Sequence, residues 1–388
     1  MSNNRTNAME IADIENDVLC EKIINDINAV LTRDPDVTSF EIIPTLSYQN
    51  KSPVIHVEHN LGLESWCAKH VYDFSHKTIL ASKLSGSKYI YNDSLVKYLN
   101  CALLINPDVT TFWHIRRQLV EKNKLKIQKE FQFAALVLTK KPKASEAFAY
   151  RRWLYPFQSA ESIDWSIEIG ICDRCADKSL SNYHAWSHRQ WVLERASHLL
   201  RSEILHTEKF IKKHISDYSC YHYRQFVLQT IFDICYYDKE QNEYNSLRDF
   251  INFYLVDGVS SVGEIIQTLL PNIDLNATNE DKLKCFLYCC NFAAYDIKFC
   301  DDLKNLFGFR ESFENHRRAS LRFIVENCMR FNSSVECYQQ PPVSKLSKFD
   351  YSSNAFLMAL KKSEGMLGEQ HRKWCSLFLN FDYSDNSD

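Results

Sequence analysis

Two short constellations in this chain carry the residue types that bind metals or exchange electrons. Cys172-Asp173-Arg174-Cys175 has the C-x-x-C spacing of half a zinc site or of a dithiol. A tetrahedral zinc needs two further ligands at sensible spacing, and the neighbouring sequence offers none. His184 and His188 stand four residues apart, so on a helix they share a face and form a metal edge. The glutamate that accompanies such a pair in zinc hydrolases is missing. No phosphate loop, Gly-x-Ser-x-Gly elbow or dinucleotide fingerprint occurs, in keeping with only 8 Gly in 388 residues. Metal and redox chemistry are therefore poorly supported, and the repeated arginines become the main signal.

An aromatic residue, two spacers and a pair of large polar residues recur. The copies are Trp113-His114-Ile115-Arg116-Arg117, Phe148-Ala149-Tyr150-Arg151-Arg152, Trp186-Ser187-His188-Arg189-Gln190 and Tyr221-His222-Tyr223-Arg224-Gln225. The first arginines, at 116, 151, 189 and 224, are separated by steps of 35, 38 and 35 residues. A period of that size predicts stacked helical hairpins of the tetratricopeptide type. Within each copy the aromatic and the polar pair fall on one helical stripe. The aromatic wedges between neighbouring hairpins. An arginine on such a stripe must find carbonyls or carboxylates, because an unpaired buried charge is strongly destabilising. Each arginine is accordingly expected to be a strut between repeats rather than a catalyst.

The elements around these copies follow from periodicity and breakers. Segment 11–32 carries an apolar stripe of Ile14, Val18, Ile23, Ile24, Ile27 and Leu31. Segment 38–60 is extended in character. The hairpins run from Asp93 to Ile105 and on from Thr110 or Thr111, from Gln128 to Thr139 and on from Ser145, from Asp164 to Asp177 and Tyr183 to Leu200, and from Ser202 to His214 and Tyr221 to Tyr237. Thr110, Thr111 and Ser145 are candidate helix caps. A degenerate fifth copy is expected at Glu314-Asn315-His316-Arg317-Arg318, with inserted structure over 241–305. The expected organisation is thus 1–92 helical and extended, 93–237 four repeats, 238–331 an insertion plus the fifth copy, and 332–388 a linker and a final helix from Asn354 to Leu379.

Composition narrows the function classes. A net charge of -3 gives no global attraction to nucleic acid. Lysine clusters at 122, 124, 126 and 129 and at 209, 212 and 213 read as solvated helix faces. The 14 cysteines are scattered over helical segments and read as reduced thiols. No export sequence is visible, and no apolar run approaches the roughly 18 residues that span a bilayer. The expectation is a cytoplasmic protein that is not integral to a membrane and binds no nucleic acid.

The repeated phrase, at this period, resembles that of the protein prenyltransferase α subunits. The strongest match is Asn182-Tyr183-His184-Ala185-Trp186-Ser187-His188-Arg189-Gln190-Trp191-Val192-Leu193. A second set looks like one subgroup, taken to be the α subunit of a type III geranylgeranyltransferase. It comprises Ser52-Pro53-Val54-Ile55, Glu58, Leu61-Gly62, Glu64-Ser65-Trp66-Cys67 and Asn106-Pro107-Asp108. The resemblance implies an all-α, right-handed superhelical crescent of hairpins wrapped round a barrel-type β subunit shared with the Rab enzyme. It implies no cofactor in this chain, with zinc and geranylgeranyl diphosphate held by the partner. The implied function is to assemble that enzyme and help choose the acceptor, whose C-terminal cysteine receives the C20 prenyl group. The isolated chain is expected to be inactive.

By the same resemblance, Lys143 and Tyr183 face the diphosphate, and Asn182 and His184 help bind substrate. The family pattern Pro-Lys-Asn-Tyr-Gln reads Pro142-Lys143-Ala144-Ser145-Glu146 here. Lys143 is kept and the following three positions are changed, which bears on acceptor contacts more than on the diphosphate. The plain alternatives are a loop lysine and a helix-entry packing residue. At the level of the whole chain the alternative is a helical-repeat interaction scaffold with no enzymatic partner.

Overall fold

The computed structural model describes residues 2–45, 52–84, 93–159, 163–237 and 280–335, together with Lys373. It falls into two compact units, Met1–Val192 and Leu193–Asp388. Helices dominate both, so the expected all-α architecture of stacked hairpins holds.

In the first unit, α1 (Ser2–Arg33) packs on α2 (Ser65–Leu84) and α3 (Asp93–Ile105). It does so through Ile23, Ile24, Ile27 and Val30, all buried. The expected stripe is shifted from that read in the sequence. Val18 is 66% exposed and Val30, rather than Leu31, faces inward. Between α1 and α2 lies a small sheet of β1 (Ser39–Ile43), β2 (Val54–Val57) and β3 (Asn60–Glu64) in the order β1-β3-β2. β3 is parallel to β1 and antiparallel to β2. Gly62 lets the Ile43 side chain lie close over the centre, where a Cβ would come within 2.5 Å of Ile43 Cδ1 and make that side chain shift. The buried Phe40 on β1 donates its N–H to Thr139 Oγ1 at 3.0 Å, tying the sheet to the second hairpin.

Hairpin one is α3 with α4 (Thr110–Glu121). Hairpin two is α5 (Ile127–Lys140) with α6 (Ser145–Leu154), and hairpin three is α7 (Trp165–Lys178) with α8 (Tyr183–Leu193). Asp164 caps α7 by accepting from Ser166 N at 2.9 Å. The expected caps of α4 and α6 are corrected. Val109 and Ala144 take the cap positions with extended backbones and no side-chain bond, while Thr110 and Ser145 are already helical.

The second unit holds hairpin four, α9 (Leu200–Lys213) with α10 (Tyr218–Tyr237). It also holds hairpin five, α11 (Glu280–Phe307) with α12 (Glu311–Val335). Residues 280–305 therefore belong to the first helix of the fifth hairpin rather than to an insertion. The rest of the expected insertion lies outside the described residues, as does the expected final helix apart from Lys373.

Candidate functional site

The aromatic and first arginine of every copy are buried: Trp113, Phe148, Trp186 and Tyr221 with Arg116, Arg151, Arg189 and Arg224. The second polar residues, Arg117, Arg152, Gln190 and Gln225, are half-buried. The first arginines are struts, as their chemistry requires. Arg116 grips Glu130 with two bonds, Nε to Oε2 at 2.8 Å and Nη2 to Oε1 at 2.7 Å. Arg151 grips Glu168 the same way, with Nε to Oε2 at 2.9 Å. Arg189 pairs with Asp173 and reaches Ile169 O. In the second unit Arg224 holds Asp296, Nη2 to Oδ1 at 2.7 Å.

Four buried carboxylates, Glu130, Glu168, Glu203 and Asp296, each accept from a residue 20 positions later on the following helix. Tyr150 donates its hydroxyl to Glu130 at 2.6 Å, and Tyr223 donates to Glu203 at 2.5 Å. His188 Nε2 meets Glu168 Oε2 at 2.7 Å, and His316 Nε2 meets Asp296 Oδ2 at 3.0 Å. The second polar residue of the phrase then explains itself. Arg152 Nη1 lies 3.4 Å from His188 Nδ1, and the Gln225 amide nitrogen lies 3.4 Å from His316 Nδ1. A guanidinium can only donate, so His188 Nδ1 accepts and its Nε2–H donates to Glu168. His188 is thereby held as one neutral tautomer. Its pKa is depressed because burial disfavours the cation and outweighs the attraction of Glu168. Burial opposes ionisation of Glu168 too, but Arg151 and His188 hold it well below the usual carboxylate range.

These acids are what the sequence reading missed. Glu130, Glu168, Glu203 and Asp296 stand 21 residues before Arg151, Arg189, Arg224 and Arg317, since 151−130, 189−168, 224−203 and 317−296 all equal 21. That constant offset was the available signal. Arg317 in the fifth copy pairs with Asp301, Nε to Oδ1 at 3.1 Å.

The loops joining first to second helices form a rim at one end of the first three hairpins. They are fastened in series. Lys141 pairs with Asp108 across the first two loops. Asn182 Nδ2 donates to Pro142 O at 2.7 Å and to Cys175 O at 3.1 Å, and its Oδ1 accepts from Ala185 N at 3.2 Å. Asn182 is fully buried, with its amide wholly committed to backbone. The expectation that it touches substrate is therefore corrected: it caps α8 and holds the Lys143 loop against the Tyr183 loop. Lys143 is exposed, and Tyr183 is 65% exposed. The Tyr183 ring stands edge-on to half-buried His184 with centroids 5.6 Å apart. Beside them Glu146 Oε1 accepts from Thr110 Oγ1 at 3.3 Å. The rim thus presents a cation, a phenol and an imidazole on a fastened backbone, a set suited to an anionic oxygen cluster.

The C-x-x-C pair offers no such site. Cys172 and Cys175 lie one turn apart on α7, both buried, and burial pushes the Cys175 thiol up to about 12. Burial likewise holds the Cys172 thiol well above its ordinary value. Neither is a ready thiolate. Among the described residues no three His, Cys, Asp or Glu gather to hold a metal, and no helix is long and apolar enough to cross a membrane.

A hairpin stack with this phrase defines a class, and three of the five hairpins match the protein prenyltransferase alpha subunit repeat. The family model of that description matches 127–157, 165–196 and 200–231, which are hairpins two, three and four. The chain is similar to protein prenyltransferase alpha subunit repeat-containing protein 1 from Homo sapiens, 32% identical over 257 residues, covering 60% of this chain and 63% of the human one. Form 1-B from Xenopus laevis is 30% identical over 262 residues, 61% of this chain and 60% of that one. The match thus spans less than two thirds of these relatives' length. Geranylgeranyl transferase type-2 subunit alpha from Sus scrofa is 27% identical over 169 residues, covering 41% of this chain and 29% of the pig protein.

Proposed function

We propose that this chain is the α subunit of a heterodimeric protein geranylgeranyltransferase, assembling with a barrel-type β subunit of the Rab geranylgeranyltransferase kind. The observation that carries the reading is the fastened rim. Asn182 bonded to Pro142 ties the loop of Lys143 to the loop of Tyr183 and His184. The likeness to type-2 geranylgeranyl transferase α subunits supports the same class.

In the transfer, the acceptor cysteine sulfur bonds to C1 of the prenyl group as the C1–O bond breaks and diphosphate leaves. The zinc that would ionise the thiol belongs to the partner. Lys143 and Tyr183 stabilise charge growing on the departing diphosphate, and they do so without reorganising because their loops are already tied. Ala144, Ser145 and Glu146 give the acceptor a different rim from that of the family pattern, which suits a distinct acceptor protein.

The test is coexpression with candidate β subunits followed by a prenyl-incorporation assay. A stable complex with turnover is expected. Lys143→Ala is expected to lower turnover by about 10²–10³-fold, the usual cost of one such donor. Unchanged turnover with unchanged binding removes Lys143 from the site. A well-folded chain that never joins a β subunit returns the interaction-scaffold reading.

A further inference from the structure

The loop from α4 into α5 joins one hairpin to the next, so it lies at the opposite end of the helices from the rim. From 117 to 129 it holds five cations, Arg117, Lys122, Lys124, Lys126 and Lys129, against one acid, Glu121. Lys122, Lys124, Lys126 and Lys129 are all exposed. Among the described residues no carboxylate pairs with Lys124, Lys126 or Lys129. Lys126 occupies the N-cap of α5 with no side-chain bond, placing cations where the helix end is already positive. The acid in that first turn, Glu130, is buried and held by Arg116. Among the described residues, Lys124, Lys126 and Lys129 thus meet no compensating acid.

An apolar element adjoins it. The Arg117 guanidinium lies over Tyr150 and Trp153, with its carbon 5.9 and 5.8 Å from the ring centroids. Its Nε is buried and accepted by no group. Trp153 in turn packs on Phe157, centroids 4.8 Å apart, and Phe157 is 47% exposed. Exposed lysines near an exposed phenylalanine match a surface with anionic headgroups over an apolar interior.

We infer that this inter-hairpin edge docks on an anionic lipid bilayer, through Lys124, Lys126 and Lys129 with Phe157 entering the headgroup layer. The inference stands apart from the enzymatic reading and needs no β subunit. The experiment is cosedimentation of the full chain with phosphatidylcholine vesicles, with and without phosphatidylserine. Binding is expected only with phosphatidylserine, and is expected to fade as salt rises well above 0.1 M, where the screening length is about 10 Å. Replacing the three lysines by glutamine is expected to weaken partitioning about a hundredfold, roughly fivefold for each cation lost.

That triple variant removes like-charge crowding, so it should melt no lower than the parent. If it fails to fold, Lys126→Gln alone is read for its fivefold share. Phe157→Ser is expected to weaken binding while leaving its salt dependence intact. Absence of phosphatidylserine-dependent binding, or binding untouched by the lysine variants, overturns the inference. So does capture by poly-glutamate or duplex DNA without capture by vesicles.

Discussion

The joint around Glu130 and the joint around Glu168 fill the same slot in successive hairpins, and they differ in one group. Both carboxylates are gripped by a buried arginine from the preceding hairpin. The second donor is a phenol in one, Tyr150, and an imidazole in the other, His188. Burial raises the Tyr150 phenol further above its ordinary value, so that joint does not titrate near neutral pH. Burial depresses the pKa of the His188 imidazole, so that joint loses stability as the pH falls below the ordinary imidazole value. One architecture therefore carries a proton-inert strut and a proton-sensitive one side by side, and the choice of a single residue decides which.

The largest effect should come from removing an arginine. Arg151→Ala leaves Glu168 buried and short of its main partner, at a cost of about 3–5 kcal/mol in denaturant unfolding. Arg116→Ala should cost a similar amount at Glu130. A loss below about 1 kcal/mol at either place would mean that the carboxylate takes up a proton or reaches water, and the strut account would fail there.

Next in size, Tyr150→Phe removes one bond to an ionised group and should cost about 1.5–3 kcal/mol. Its effect should be independent of pH between 5 and 8, measured as a constant difference in unfolding free energy.

The smallest effect is a slope. His188 has a depressed pKa, so below about pH 6.5 the unfolded chain takes up a proton that the folded chain refuses. Stability is fully present above that value and falls as the pH drops through the window down to the depressed one. The depressed Glu168 works in the same direction lower down, its contribution fading below about pH 4.3. His188→Gln should flatten the upper part of this decline in the same unfolding measurement. A decline of undiminished steepness would assign the proton uptake to another group.

Much of this was legible before the structure. The aromatic–arginine phrase and its period fixed the hairpins, because wedge and strut repeat wherever the packing repeats. The buried acids were not read, though Glu130, Glu168, Glu203 and Asp296 each stand 21 residues before the arginine of the following phrase, because isolated acids on polar helices look like solvated residues. The three-stranded sheet was read only as extended chain, since its parallel β1–β3 pairing is a long-range register that local periodicity does not encode. Asn182 was misjudged because its neighbours Tyr183 and His184 do face outward. One residue of helix rotation separates an exposed phenol from a fully buried amide.

The constant offset has an evolutionary consequence. Glu130 and Glu168 are 38 residues apart, since 168−130 is 38. Excising 130–167 would leave Arg116 facing Glu168 at the spacing it now has to Glu130, with charge balance preserved across the seam. Excising one residue more or fewer would turn the acid off the helix face and strand a cation. Such an array can gain or lose whole units by duplication and remain electrically closed at every step, whereas frame-breaking indels are rejected at the joints themselves.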